Sequence, residues 1–127
     1  FFNNHYSYYE GLDLSQEALK RINHMTDKKT KFILTGMLEY STNKTFDVIV
    51  FSESIYYLDD LEKLPLMINK YLGFLKPEGK LIVSQCNQSP HADKIWKELD
   101  KMLILIDKIS LTNRSNLKST IKVFDTP

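Results

Sequence analysis

The segment Phe46-Asp47-Val48-Ile49-Val50-Phe51-Ser52-Glu53-Ser54-Ile55-Tyr56-Tyr57-Leu58 constrains the fold more than any other part of the chain. Its run from Val48 to Phe51 is apolar without alternation, the pattern of a parallel strand covered on both faces. Glu53, flanked by Ser52 and Ser54, follows directly, and two tyrosines come next. These side chains then stand at the carboxyl end of the strand, which is where ligands bind in open α/β sheets. Functional residues are expected here first.

The flanking sequence alternates strand and helix patterns. Tyr9 to Asp13 reads as a short strand ending in an acid. Ser15 suits a helix N-cap, with Glu17 in the first turn and Ala18, Leu19, Ile22 and Met25 along one face. Lys31 to Thr35 is a second strand closed by Gly36, and the strand from Phe46 is the third. Asp59 and Asp60 open a helical region that accepts Pro65 in its first turn and repeats Leu61, Leu64, Ile68, Leu72 and Leu75 at spacings of three and four. Lys76-Pro77-Glu78-Gly79 reads as a type I turn before a fourth strand, Lys80 to Ser84. Ala92 to Leu103 is helical with Ile95, Trp96, Leu99, Met102 and Leu103 inward. Ile106 to Thr112 and Ser119 to Phe124 alternate, with Ile109 and Leu111, then Ile121 and Val123, each sharing a face. Asn113 to Asn116 is their hairpin turn. The order β-α-β-β-α-β-α-β-β predicts an α/β fold, a doubly wound and mostly parallel Rossmann-like sheet with an antiparallel C-terminal hairpin at its edge.

A chain of 127 residues, 43% hydrophobic, suits one domain with a modest core. Its 17 basic and 16 acidic residues leave a net charge of +1, too little field to draw it to nucleic acid or to an anionic membrane. No apolar run approaches the roughly 20 residues of a membrane span. Neither partner is expected. The single Cys86 fits a reducing compartment, and a cytoplasmic location is expected. His5, His24, His91 and Cys86 lack the spacing of metal ligands, so no metal is expected, and no nucleophile-base-acid order supports covalent catalysis. The first nine residues hold Phe1, Phe2, Tyr6, Tyr8 and Tyr9, a dense apolar load for a free terminus. The expectation is a single domain over 1–127, incomplete at its N-terminus.

Four segments then fall into a familiar order: Tyr9-Glu10-Gly11-Leu12-Asp13-Leu14-Ser15, Phe32-Ile33-Leu34-Thr35-Gly36-Met37-Leu38-Glu39, Phe46-Asp47-Val48-Ile49-Val50, and Leu75-Lys76-Pro77-Glu78-Gly79-Lys80-Leu81-Ile82-Val83-Ser84. Together they resemble the class I S-adenosylmethionine-dependent methyltransferases, from the second strand of that family to its last. The Ser-Glu-x-x-Tyr-Tyr-Leu loop further resembles nodulation-type N-methyltransferases and their small-molecule relatives. The resemblance implies S-adenosylmethionine as cofactor and methyl transfer to a small-molecule acceptor. It departs from the family twice. The first strand and its Gly-rich turn, which cradle the methionine end of the cofactor, have no counterpart here. Gly36 stands where many relatives carry an acid that bonds the adenine amino group. Without the first strand, the strands at Leu12 and Val48 would present unpaired edges. The expectation is weak cofactor binding by this stretch alone, with aggregation, a homodimer, or dependence on about 35 to 50 upstream residues, one β-α unit plus a helix.

The same resemblance implies roles for particular residues. Asp13 would accept hydrogen bonds from the ribose hydroxyls, with Leu14 beside the cofactor, and Met37 and Leu38 would sandwich adenine. Helix capping and core packing are the plainer alternatives. Ser52 and Glu53 fall where relatives hold the methionine amino group and the substrate, and Glu53 would orient or deprotonate an amine unless it is a solvated loop carboxylate. Tyr56 and Tyr57 would wall the acceptor pocket or else join the core, and His91, with Asn87, would touch substrate. Asp47 is read as a structural hydrogen-bonding group. Two other functions stay open: a degenerate methyltransferase-like binding or partner subunit without activity, and a NAD-dependent oxidoreductase, whose ribose also suits an acid after a second strand.

Overall fold

The computed structural model describes residues 5–127 and divides into two compact units, Phe1–Ser41 and Thr42–Pro127. In the first, β1 (Tyr9–Asp13) and β2 (Thr30–Leu34) pair in parallel, in register from Tyr9 opposite Thr30 to Asp13 opposite Leu34. Helix α1 (Gln16–Ile22) makes the crossover. Its start follows the sequence expectation: Ser15 is extended, its Oγ accepts the Ala18 N–H at 3.1 Å, and Glu17 lies in the first turn. The α-helix ends at Ile22, and Asn23–Met25 continues it only as a 3-10 turn. Beyond β2 the chain turns tightly, with the Tyr40 N–H bonded to the Gly36 carbonyl at 3.0 Å. Tyr40 is buried, and its phenol donates to the Glu10 carboxylate, which also accepts from the Tyr8 hydroxyl at 2.7 Å. This ties the turn after β2 back to β1.

The second unit comprises β3 (Phe46–Ser52), α2 (Leu64–Leu72), β4 (Leu75–Cys86), α3 (Ala92–Met102), β5 (Ile104–Thr112) and β6 (Lys118–Asp125), with 3-10 turns at Ile55–Tyr57 and Leu61–Lys63. The sheet order is β3-β4-β6-β5, with β3 and β4 parallel and β6 antiparallel to both its neighbours. The mixed arrangement is the expected α/β class, and the antiparallel hairpin stands at the edge of the sheet as expected. The last strand lies inside the sheet, and β5 forms the edge. Asp60 caps the entry to the helical region by accepting the Glu62 N–H at 2.9 Å, and Pro65 sits in the first turn of α2. Among the described residues no helix is long and apolar enough to cross a membrane.

The core of this unit lies on one face of the sheet. Phe51, Leu81, Val83 and Phe124 are buried there together with Leu64, Met67, Ile68 and Tyr71 of α2 and Ile95 and Leu99 of α3. The Phe51 and Tyr71 rings meet edge to face at 4.8 Å. Each such side chain contributes about 1.5–3 kcal/mol by leaving water. The other face carries Val48 and Val50, 48% and 56% exposed. The run Val48 to Phe51 is therefore covered on one face only, not on both. The hairpin corrects the reading in the same way. Thr120, Lys122 and Phe124 face inward, and Ile121 and Val123 alternate to the other side. Lys122 tolerates burial because its amine bonds both oxygens of Asp100 (2.7 and 2.6 Å) and lies over the Trp96 ring, 4.8 Å from its centre.

The Lys76–Gly79 turn is an excursion within β4 rather than a separate link. Phe46 pairs with Leu75, and the next pair is Val48 with Lys80. Glu78 adopts a left-handed φ of 64°. At Gly79 a Cβ would meet the Lys76 carbonyl oxygen at 2.9 Å and that of Asp47 at 3.2 Å, so only glycine fits.

Candidate functional site

The strand ends of the first unit bring together Asp13, Leu14 and the turn 36–40. Asp13 is the last residue of β1 and is exposed. One carboxylate oxygen accepts the Ser15 N–H at 2.7 Å, fixing the side chain at the mouth of the strand pair. The Thr35 N–H bonds the Asp13 carbonyl at 3.0 Å, so the chain leaving β2 passes beside it. Leu14 is 72% exposed, Leu38 is partly exposed, and Met37 is half-buried. A Cβ placed on buried Gly36 would lie 3.4 Å from Leu14 Cδ2 and would collide with the Glu39 carboxylate. Leu14 and Glu39 thus converge over the bare glycine. The exposed carboxylate of Asp13 and this apolar ledge fit a ribose diol and the flat ring attached to it.

The strand ends of the second unit are built differently. Ser52 closes β3 opposite Ser84. Glu53 follows with a left-handed φ of 49°, a strained conformation for a residue with a side chain. Its carboxylate explains how the strain is held: one oxygen accepts from Ser84 Oγ at 2.9 Å, the other from the Cys86 N–H at 2.7 Å, and its own N–H bonds the Ser84 carbonyl at 2.8 Å. The next turn buries Ile55 and Leu58, while Tyr56 is half-buried and Tyr57 is 70% exposed. The two tyrosine rings lie 4.7 Å apart, and burial, followed by the hydrogen bond with Tyr57, holds the Tyr56 phenol above its ordinary pKa. After β4, His91 precedes α3 with a φ of 60° and lines an open hollow of about 270 Å³ with Asn87, Ser89, Asp93 and Lys94. Asn87 accepts from Thr120 Oγ1 at 2.8 Å. Asp47 accepts from Lys76 Nζ at 2.8 Å, which lowers its pKa, in keeping with a structural reading. Among the described residues, no three His, Cys, Asp or Glu side chains gather as a metal site requires.

Three residues were given no role in the site by sequence: Glu39, and the Ser84 and Cys86 that hold Glu53. The only local trace of the first was an acid three residues beyond a strand-closing glycine.

Residues 2–124 match a family described as a methyltransferase domain. The chain is 24% identical over 122 residues to nodulation protein S of Rhizobium tropici, covering 88% of this chain and 51% of that protein. It is 22% identical over 103 residues to nodulation protein S of Sinorhizobium fredii, covering 75% and 45%. The chain spans about half the length of these curated relatives. Among solved structures it superposes on the N-methyltransferase NodS of Bradyrhizobium japonicum in complex with S-adenosylhomocysteine. The TM-score is 0.80 at 20% identity, over 94% of this chain and 67% of that one.

Proposed function

This chain belongs to the methyltransferase domain family, with the class I S-adenosylmethionine-dependent fold, and on that premise we propose that it transfers the methyl group of S-adenosylmethionine to a small-molecule acceptor, with both units serving one domain. The observation that carries the proposal is Asp13. It stands exposed at the carboxyl end of a parallel strand, with a single oxygen engaged by Ser15 and the other left for a diol. The N-methyltransferases among the structural neighbours favour nitrogen as the acceptor atom.

The sulfonium donor supplies an activated methyl group. The new bond from the acceptor forms as the carbon–sulfur bond breaks, sulfur keeps the electron pair, and the acceptor releases a proton. The protein's share is alignment and exclusion of water. Asp13 and Leu14, with Met37 and Leu38, take the adenosyl part. Ser52 is assigned to the methionine end, and Tyr56, Tyr57 and His91 to the acceptor. Glu53 is assigned a bracing role: with both oxygens engaged by β4, it shapes the loop that carries the tyrosines instead of taking the acceptor's proton.

The test is calorimetric titration of the intact protein with S-adenosylhomocysteine. Heat is expected from the unsubstituted protein and its loss in Asp13→Ala. An intact protein that gives no heat, or that binds NADH in preference, rejects the assignment.

A further inference from the structure

Strand β5 forms an edge of its sheet, and all nine of its residues are exposed. Edge strands are ordinarily blunted by charge, proline or a bulge. In β5 the bulge between Leu105 and Asp107 and the charges of Asp107 and Lys108 protect the first part, whereas Ile109-Ser110-Leu111-Thr112 carries neither charge nor proline. The hairpin fixes which backbone groups face outward. The Asn113 N–H bonds the Leu117 carbonyl at 3.0 Å, and residues alternate along an antiparallel ladder, so Leu111 and Ile109 turn their N–H and C=O groups toward β6. On the far side of β6 the Asn87 N–H bonds the Lys118 carbonyl at 2.8 Å, which fits the same alternation. Lys108, Ser110 and Thr112 therefore turn theirs away from the sheet. The Lys108 N–H donates to the Asp107 carboxylate at 2.8 Å, so the donors offered along the edge are those of Ser110 and Thr112.

A second copy of β5 fits these groups in one antiparallel register. A two-fold axis normal to the sheet keeps each face on its own side. With that axis at Ser110, the two Ser110 residues exchange N–H to C=O bonds, and each Thr112 N–H reaches the Lys108 carbonyl of the other copy. Ile109 then meets Leu111 of the other copy, twice, as close pairs on the face away from the core. Moving the axis to Lys108 sets two ammonium groups opposite each other, and moving it to Ile109 sets the Asp107 carboxylate against Leu111. We propose that the protein forms a two-fold dimer in which β5 pairs with β5 of a second copy about Ser110, joining their four-stranded sheets into one. This assembly holds whatever ligand the site takes.

Sedimentation of the intact protein over roughly 1 μM to 1 mM, the affinity range of small interfaces, should show a monomer–dimer equilibrium. Ile109→Lys sets an ammonium against Leu111 twice across the two-fold, and should raise the dissociation constant by about 10-fold or more. Adding Leu111→Glu to that variant should restore the dimer, because this register places residue 109 of one copy opposite residue 111 of the other. Hydrogen exchange reads the same contact without any substitution. The Ser110 and Thr112 amides should be protected in concentrated protein and lose protection on dilution, while the Ile109 and Leu111 amides, bonded within the hairpin, stay protected throughout. A protein that is monomeric over the whole range, or a dimer that Ile109→Lys leaves intact, overturns the proposal. So does a double variant that associates no better than the single one. Ser110 and Thr112 amides protected in a monomer mean that another part of the same polypeptide covers the edge, which overturns it too.

Discussion

Asp13, at the end of β1, spends one oxygen on the neighbouring Ser15 N–H and stays exposed. Glu53, one residue past β3, spends both oxygens on groups of β4, 31 and 33 residues away in the chain, and is half-buried in a left-handed conformation. Both are acids at the carboxyl end of a parallel strand. A local, exposed bond leaves a carboxylate the capacity to receive a ligand, whereas long-range bonds to a neighbouring strand use the same group as a brace. Removing the first should cost binding, and removing the second should cost stability.

The largest expected effect follows from the first half of that contrast. Asp13→Ala should weaken S-adenosylhomocysteine by about 100-fold, from the loss of charge-assisted bonds to the ribose, while stability falls by less than about 1 kcal/mol. Calorimetry and denaturant melts separate the two quantities. Glu53→Ala should show the reverse, a loss of about 2 kcal/mol because the Cys86 N–H and the Ser84 hydroxyl lose their acceptor and the strained backbone loses its hold. A variant that melts normally but binds nothing would erase the distinction. Ser84→Ala removes one of the two donors and should cost about 1 kcal/mol by the same melts. The smallest effect is expected at Asp47, where the Lys76 ammonium lowers the pKa of an exposed carboxyl. A lowered folded-state pKa adds stability that is present above the unfolded value and is lost as the pH falls through the folded one. Lys76→Met should move the Asp47 titration, followed by NMR, up to the ordinary carboxylate range, with hardly any change in melting because the pair is exposed.

What the sequence revealed depended on whether the cause was local. The Ser15 cap, the start of a helical region at Asp59 and Asp60 and the place of Pro65 in the first turn of α2 are decided within one turn of chain, and each was legible. So was the parallel β1–α1–β2 unit, whose acid marks the ribose candidate. The inward face of β6 was not legible. Ile121 and Val123 look like core by residue type, but Lys122 takes the buried position because Asp100 and Trp96, on α3, neutralise its amine and cover its stem. The excursion in β4 read as a plain turn because nothing in Pro77-Glu78-Gly79 shows that pairing resumes on the same strand. Glu39 and the partners of Glu53 were invisible for one reason: their roles arise from where a backbone folds back or which strand lies alongside, not from their own propensities.

The position of β6 has a consequence for how the molecule assembles. This strand, Lys118–Asp125, is inserted between β4 and β5, so β4 gains its second neighbour only from residues more than thirty positions later. Pairings of long sequence separation form late, since the intervening chain must lose its freedom before any bond repays it. The parallel β3–β4 pair and the β5–β6 hairpin should therefore form as separate pieces, and their joining along β4 and β6, with Lys122 meeting Asp100, should limit the rate. Pulsed hydrogen exchange during refolding tests this. Amides of the β5–β6 ladder should gain protection before those of β4 that face β6, and simultaneous protection would point to a single cooperative step.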